Sequence, residues 1–153
     1  MSQSATSTTK SKAGTLSTFA SLSFAGDNLN PAGISKLLGV EPTTAYRKGE
    51  VYKRSRGHEV IGRTGLWLLS SRGHIKSDEL SDHLAYLKAV IFPSAGNELV
   101  APIRTLMREA GLEADVSCFW YGEHGATAPP IPEEIRAAFS RIGATIETDF
   151  DTD

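Results

Sequence analysis

Two segments with the same grammar limit most strongly what this chain can fold into. "NPAGISKLLG" (30–39) offers Asn30 as a cap, Pro31 at the first helical position and Ile34, Leu37 and Leu38 at helical spacing. Gly39 follows where a left-handed residue ends a helix. "IPEEIRAAFSRIG" (131–143) repeats the pattern: Pro132 opens, Glu133 and Glu134 favour the first turn, and Gly143 closes. Its Ile135, Ala138, Phe139 and Ile142 form one apolar stripe. Each segment therefore predicts a short helix with a single face to bury, and each follows a stretch with strand character. "LSTFASLSFAG" (16–26) alternates Ala20, Leu22 and Phe24 against Ser21 and Ser23, while "EADVSCFWYGEHG" alternates Val116, Cys118 and Trp120 against Ser117, Phe119 and Tyr121.

Between these units lie two more helices. Ser77, Asp78 and Glu79 open one whose stripe is Leu80, Leu84, Leu87 and Ile91, with Pro93 as its stop. The other covers roughly residues 97–110, with Leu99, Ile103, Leu106 and Met107 inward, Gly111 at its end, and Pro102 as a kink or the true start. "TTAYRKG" and "GLWLLSS" are short strands flanking a glycine-punctuated loop or splayed hairpin, and "ATIETDF" is a final strand. The order β-α-β-β-α-α-β-α-β predicts an α+β two-layer sandwich, a mostly antiparallel sheet with helices on one face. Its two similar ends suggest a pseudo-duplicated strand-helix-strand unit, and the expected topology is ferredoxin-like. The expected core is Leu22, Phe24, Ile34, Leu38, Leu68, Leu84, Leu87, Leu106, Val116, Phe139 and Ile146.

"LSFAGDNLNPAGISKLLGVEPTTAYRKGE", "GRTGLWLLSS", "VSCFWYGE" and "IGATIETDFD", taken in order over roughly residues 16–151, resemble the bacterial family catalogued as domain of unknown function 4279. The resemblance implies a compact bacterial cytosolic domain. It implies no activity.

With 153 residues the chain holds one domain, expected over 16–153 behind a Ser/Thr-rich terminal tail at 1–15. The polar start lacks the apolar core of a secretory signal, and no run of 18 apolar residues exists to span a membrane. The one cysteine, Cys118, excludes an internal disulfide or a cysteine-cluster metal site, and a reducing cytosol is the expected location. It lies in step with apolar neighbours, which predicts a buried, unreactive thiol. His58, His74, His83 and His124 have no ligand spacing, so no metal or other cofactor is expected; His83 falls just off a helical stripe, as a boundary or surface residue would. "GRTG" lacks the spacing of a phosphate loop, and no nucleophile elbow occurs.

What remains is charge. Residues 1–76 carry 11 Lys/Arg against 4 Asp/Glu, and residues 77–153 carry 5 against 14, balances of +7 and −9. The basic half peaks in "YRKGEVYKRSRGHEVIGRTGLW" (46–67). Arg47, Lys48, Lys53, Arg54, Arg56 and Arg63 there, with Trp67 and the "CFWYG" aromatics Trp120 and Tyr121, are the candidate binding residues. The leading expectation is a non-catalytic domain docking on an acidic protein surface, as a neutralising (immunity-like) accessory factor would. Nucleic acid is a weaker alternative because the chain as a whole is acidic. A small anionic ligand or nucleotide, or an enzyme reaction in a sheet-helix pocket with Arg47, Arg63 and Trp120, is the competing class.

Overall fold

The computed structural model describes residues 14–54 and 57–153. A long strand β1 (Thr15–Gly26) leads to helix α1 (Pro31–Leu38) and the short strand β2 (Thr44–Tyr46). A small hairpin of β3 (Val51–Lys53) and β4 (Glu59–Ile61) precedes β5 (Gly65–Ser70). Helices α2 (Leu80–Ile91) and α3 (Val100–Ala110) follow, then β6 (Glu113–Gly122), α4 (Glu133–Ser140) and β7 (Thr145–Thr152). The main sheet has five strands in the order β2-β5-β1-β6-β7, and β3 pairs only with β4. All its pairings are antiparallel except β6 with β7.

The two similar ends of the sequence are both parallel strand-helix-strand units, but they close differently. In β6-α4-β7 the strands are direct neighbours, whereas β5 inserts between β1 and β2. The run β1-α1-β2-β5-α2-α3-β6 therefore interleaves its strands in space as β2-β5-β1-β6, and β7 extends that sheet by one strand.

The helix punctuation acts largely as its residues dictate. Gly39 closes α1 in the left-handed conformation at φ 70°, returning its N–H to Ser35. Asn30 sits at the cap position without a side-chain capping bond, because its Oδ1 accepts instead from Arg47. Pro102 stands in the first turn of α3, where its missing N–H would have had no partner anyway.

One side of the sheet is covered. Thr18, Ala20, Leu22 and Phe24 of β1 and Ala114, Val116, Cys118 and Trp120 of β6 are buried, while the residues between them are half-buried or exposed. On β5 Gly65, Trp67 and Leu69 are buried on this side, and Ser70 at the strand's end is buried as well. Leu68, expected in the core, faces the other way, since it pairs with Ser23 of β1, itself on the uncovered face. Leu106 and Ile146 are partly buried at the margin of the core. Phe139, Leu84, Leu87, Ile103 and Ile142 seal the covered face, and all are essentially inaccessible.

Candidate functional site

The basic segment becomes an arm. β3 and β4 form a two-stranded hairpin outside the main sheet, closed at its base by Gly49 N–H to the Gly62 carbonyl and Gly62 N–H to the Glu50 carbonyl. Arg54 N–H bonds the His58 carbonyl near the tip. The arm is attached through an aromatic stack: the Tyr46 and Tyr52 rings lie 4.0 Å apart and nearly parallel. Burial, and then the neighbouring Tyr52 hydroxyl, raise the Tyr46 phenol above its usual range. Position 62 must be glycine for this contact, since a Cβ there would come within 2.6 Å of the Tyr46 ring.

One side of the arm grips the domain through Tyr52; the other is bare. Val51 and Ile61 face each other across the two strands, and they are 55% and 63% exposed. Lys53, two residues on from Val51, shares their side of the hairpin, and Arg63 is exposed two residues past Ile61, whereas Arg54, also exposed, falls in step with Tyr52 and acts on the Tyr46 phenol. Lys53 stands opposite Glu59, yet among the described residues none of these three cations is within ion-pair distance of a carboxylate.

The other predicted cations divide. Arg47 donates from Nη2 to Asn30 Oδ1 at 2.9 Å, and Lys48 pairs with Asp27 at 3.0 Å. That Lys48 bond, helped by Thr64, holds the Asp27 carboxyl below its ordinary range. These two residues bind the base of the arm to the turn after β1, so they are structural ties more than steering charges. Arg56 lies outside the described residues.

The tryptophans require correction. Trp67 is 0% exposed, with its indole N–H donating to Ser35 Oγ, and Trp120 is 2% exposed, donating to Thr15 Oγ1. Both sit on the covered face of the sheet and cannot touch a partner. The pocket of Arg47, Arg63 and Trp120 does not form either. Trp120 pairs with Thr18 near the start of β1, while the arm departs beyond Gly26 at its other end. Tyr121 is half-buried on the uncovered face, its hydroxyl donating to Asp153, which raises its phenol above the usual range. Its strand partner Ser17 and the arm-end residue Gly26 are nine residues apart on β1, about 30 Å of strand. Tyr121 and the cations of the arm do not share one compact site.

The uncovered sheet face is the second notable surface. Phe19 and Phe119 stack across β1 and β6 at 4.9 Å, with the Arg72 guanidinium 4.2 Å above the Phe19 ring. Beside them on β7, Glu147, Asp149 and Asp151 stand in register with Ser117, Phe119 and Tyr121. The acids of "TDFDTD" thus line a border of an open sheet.

His83 is not a surface residue. It is 2% exposed and joins a buried chain of hydrogen bonds that the sequence does not suggest. Ser71 Oγ accepts from Ala20 N–H at 3.0 Å and lies 2.7 Å from His83 Nδ1, while His83 Nε2 lies 2.9 Å from the Ser77 carbonyl. With a neutral imidazole, the assignment satisfying all three has Ser71 donating to Nδ1 and Nε2–H donating to the carbonyl. A serine within reach of a histidine is the spacing of a nucleophile and its base. Here the serine is wholly buried, and its oxygen is already engaged by backbone, so the pair ties β1, β5 and the start of α2 together. Cys118 is 1% exposed, and burial pushes its thiol up to about 11, the reverse of an activated nucleophile. Among the described residues, no group of three or more His, Cys, Asp or Glu is arranged to hold a metal ion, and no helix is long and apolar enough to cross a membrane.

A helix-backed, mostly antiparallel sheet with one open face and a cationic arm defines a mixed α/β domain whose distinctive groups are on its surface. The family described as "Domain of unknown function (DUF4279)" matches residues 15–153, and the chain belongs to it. No curated protein and no solved structure matches it.

Proposed function

We propose that this domain is a protein-binding module of the bacterial cytosol, and that the β3–β4 arm is what it binds with. The observation that carries the reading is the exposed Val51–Ile61 pair on an arm that also exposes Lys53, Arg54 and Arg63. Covering the exposed parts of these two aliphatic side chains on binding would regain part of the roughly 1.5–3 kcal/mol that full burial of each is worth. Cations beside an apolar centre reproduce the usual anatomy of an interface, a dry middle with a charged rim. Such a rim speeds encounter with a negatively charged surface and rejects a positively charged one. The partner is therefore an acidic protein surface with a shallow apolar recess.

An accessory role in which binding neutralises the partner is the specific version of this reading, and it requires the partner's own activity to fall when the arm docks. The test uses the full chain as bait at low and high salt, beside a Lys53→Glu/Arg54→Glu variant. A partner captured by the wild type, weakened by salt and lost with the variant supports the reading. Identical capture by both baits overturns it.

A further inference from the structure

We infer that the acidic surface answering the arm is carried by a second copy of this chain, so that copies associate head to tail. This inference rests on the reading of the arm as a binding element. Along β7, Glu147, Asp149 and Asp151 project beside the exposed or half-buried Ser117, Phe119 and Tyr121 of the open sheet face. The arm presents the counterpart, aliphatic Val51 and Ile61 together with exposed Lys53, Arg54 and Arg63, which have no carboxylate partner among the described residues. Each surface supplies what the other lacks: carboxylates for the cations, and aromatic rings for the aliphatic pair.

Within one copy the two cannot meet. The arm is attached beside β2 at one edge of the sheet, and β7 is the opposite edge, four strand spacings or about 19 Å across. The acidic border also runs toward the Thr15 end of β1, whereas the arm leaves from the Gly26 end. Complementary surfaces held apart in this way cannot satisfy each other within one copy, but can between two. The sequence halves match the geometry, with a balance of +7 before residue 77 and −9 after it. The carboxylates on β7 also serve a second purpose, since charges on an edge strand discourage indiscriminate strand pairing and select a basic visitor. Because the two patches differ, the contact is heterologous, and it propagates as a ring or a filament.

Sedimentation velocity over a range of protein concentrations tests this. The wild type should gain mass with concentration at low salt and return to monomer at high salt. Lys53→Glu/Arg54→Glu, which spoils the arm, and Asp149→Ser/Asp151→Ser, which spoils the border, should each be monomeric at low salt. An equimolar mixture of the two should form a one-to-one dimer and stop there, since one copy keeps its border and the other its arm. If either double variant fails to fold, Arg63→Glu and Glu147→Ser take their places. A wild type that stays monomeric at every concentration, variants that still associate, or a mixture that stays monomeric overturns the inference. A monomeric wild type whose arm still captures a different acidic protein overturns the second copy alone and leaves the arm's function standing.

Discussion

Ile61 and Trp67 are six residues apart, and they illustrate the two principles on which this molecule is built. Trp67, the larger by far, is 0% exposed against the helices, while Ile61 is 63% exposed on the arm. Among the described residues no buried side-chain polar atom lacks a partner, and the Trp67 indole N–H has its own in Ser35. On the arm, Lys53, Arg54 and Arg63 have no carboxylate partner among the described residues. The covered face of the sheet is a closed system, and the arm is an open one. A substitution should therefore be felt either as stability or as association, according to where it falls.

The largest effect is expected on the covered face. Trp67→Ala should cost about 3–5 kcal/mol in urea denaturation, because it leaves a cavity and an unpaired Ser35 hydroxyl. A loss below about 1 kcal/mol would mean that the closed face is not closed. A smaller effect, on the order of 3 kcal/mol, should appear at high pH through Cys118. Its folded thiol ionises near about 11, whereas an unfolded thiol ionises near about 8.5. The neutral thiol's contribution is thus intact below about pH 8.5 and is lost as pH rises toward 11. Cys118→Ala should flatten the alkaline limb of the stability profile, and parallel profiles for the two proteins would refute the burial argument.

At the junction of the two regions, Gly62→Ala should cost roughly 1–3 kcal/mol by forcing Tyr46 away from the new Cβ. The Tyr46–Tyr52 stack should loosen with it, visible as a change in the near-ultraviolet circular dichroism of the tyrosines. An unchanged spectrum would detach the arm from the stack. The smallest effect on stability is expected from Lys53→Glu/Arg54→Glu, within about 0.5 kcal/mol, since exposed charges away from packed contacts rarely matter more. Association with an acidic partner should nevertheless slow by about tenfold or more at low salt. A marked fall in melting temperature instead would show that these cations are tied to the domain's own acids.

The same contrast explains what could be read from the sequence. Helix limits were legible where Pro31, Gly39 and Pro132 act locally, through their own backbone preferences, whereas α4 stops at Ser140, short of Gly143. β1 and the burial of Cys118 were legible because Ala20, Leu22 and Phe24 alternate with serines, as Val116 and Cys118 do with Ser117. β5 was not: "GLWLLS" is apolar at four successive positions, and only pairing with β1 decides that Trp67 and Leu69 turn inward while Leu66 and Leu68 turn out. Trp120 was misjudged for a related reason, since its aromatic bulk suggested an interface although its position in the alternation places it beside Cys118. His83 was illegible because its partner Ser71 lies 12 residues away and is brought close only by the fold. The cations of the arm were visible in the sequence, but the division between Arg47 and Lys48, tied to Asn30 and Asp27, and the free Lys53, Arg54 and Arg63 depended on where the chain turns after β1.

The claim that the arm, and not the helix layer, is the binding element is put to the test by a photo-activated cross-linker placed at position 61 in living cells. A matching cross-linker at the exposed Ala137 on α4 serves as the control. A cross-linked product is expected at position 61, mapped to an acidic stretch of another protein or of a second copy, and it should disappear when Lys53 and Arg54 are changed to Glu. No product at position 61, or the same products from both positions, would contradict that claim.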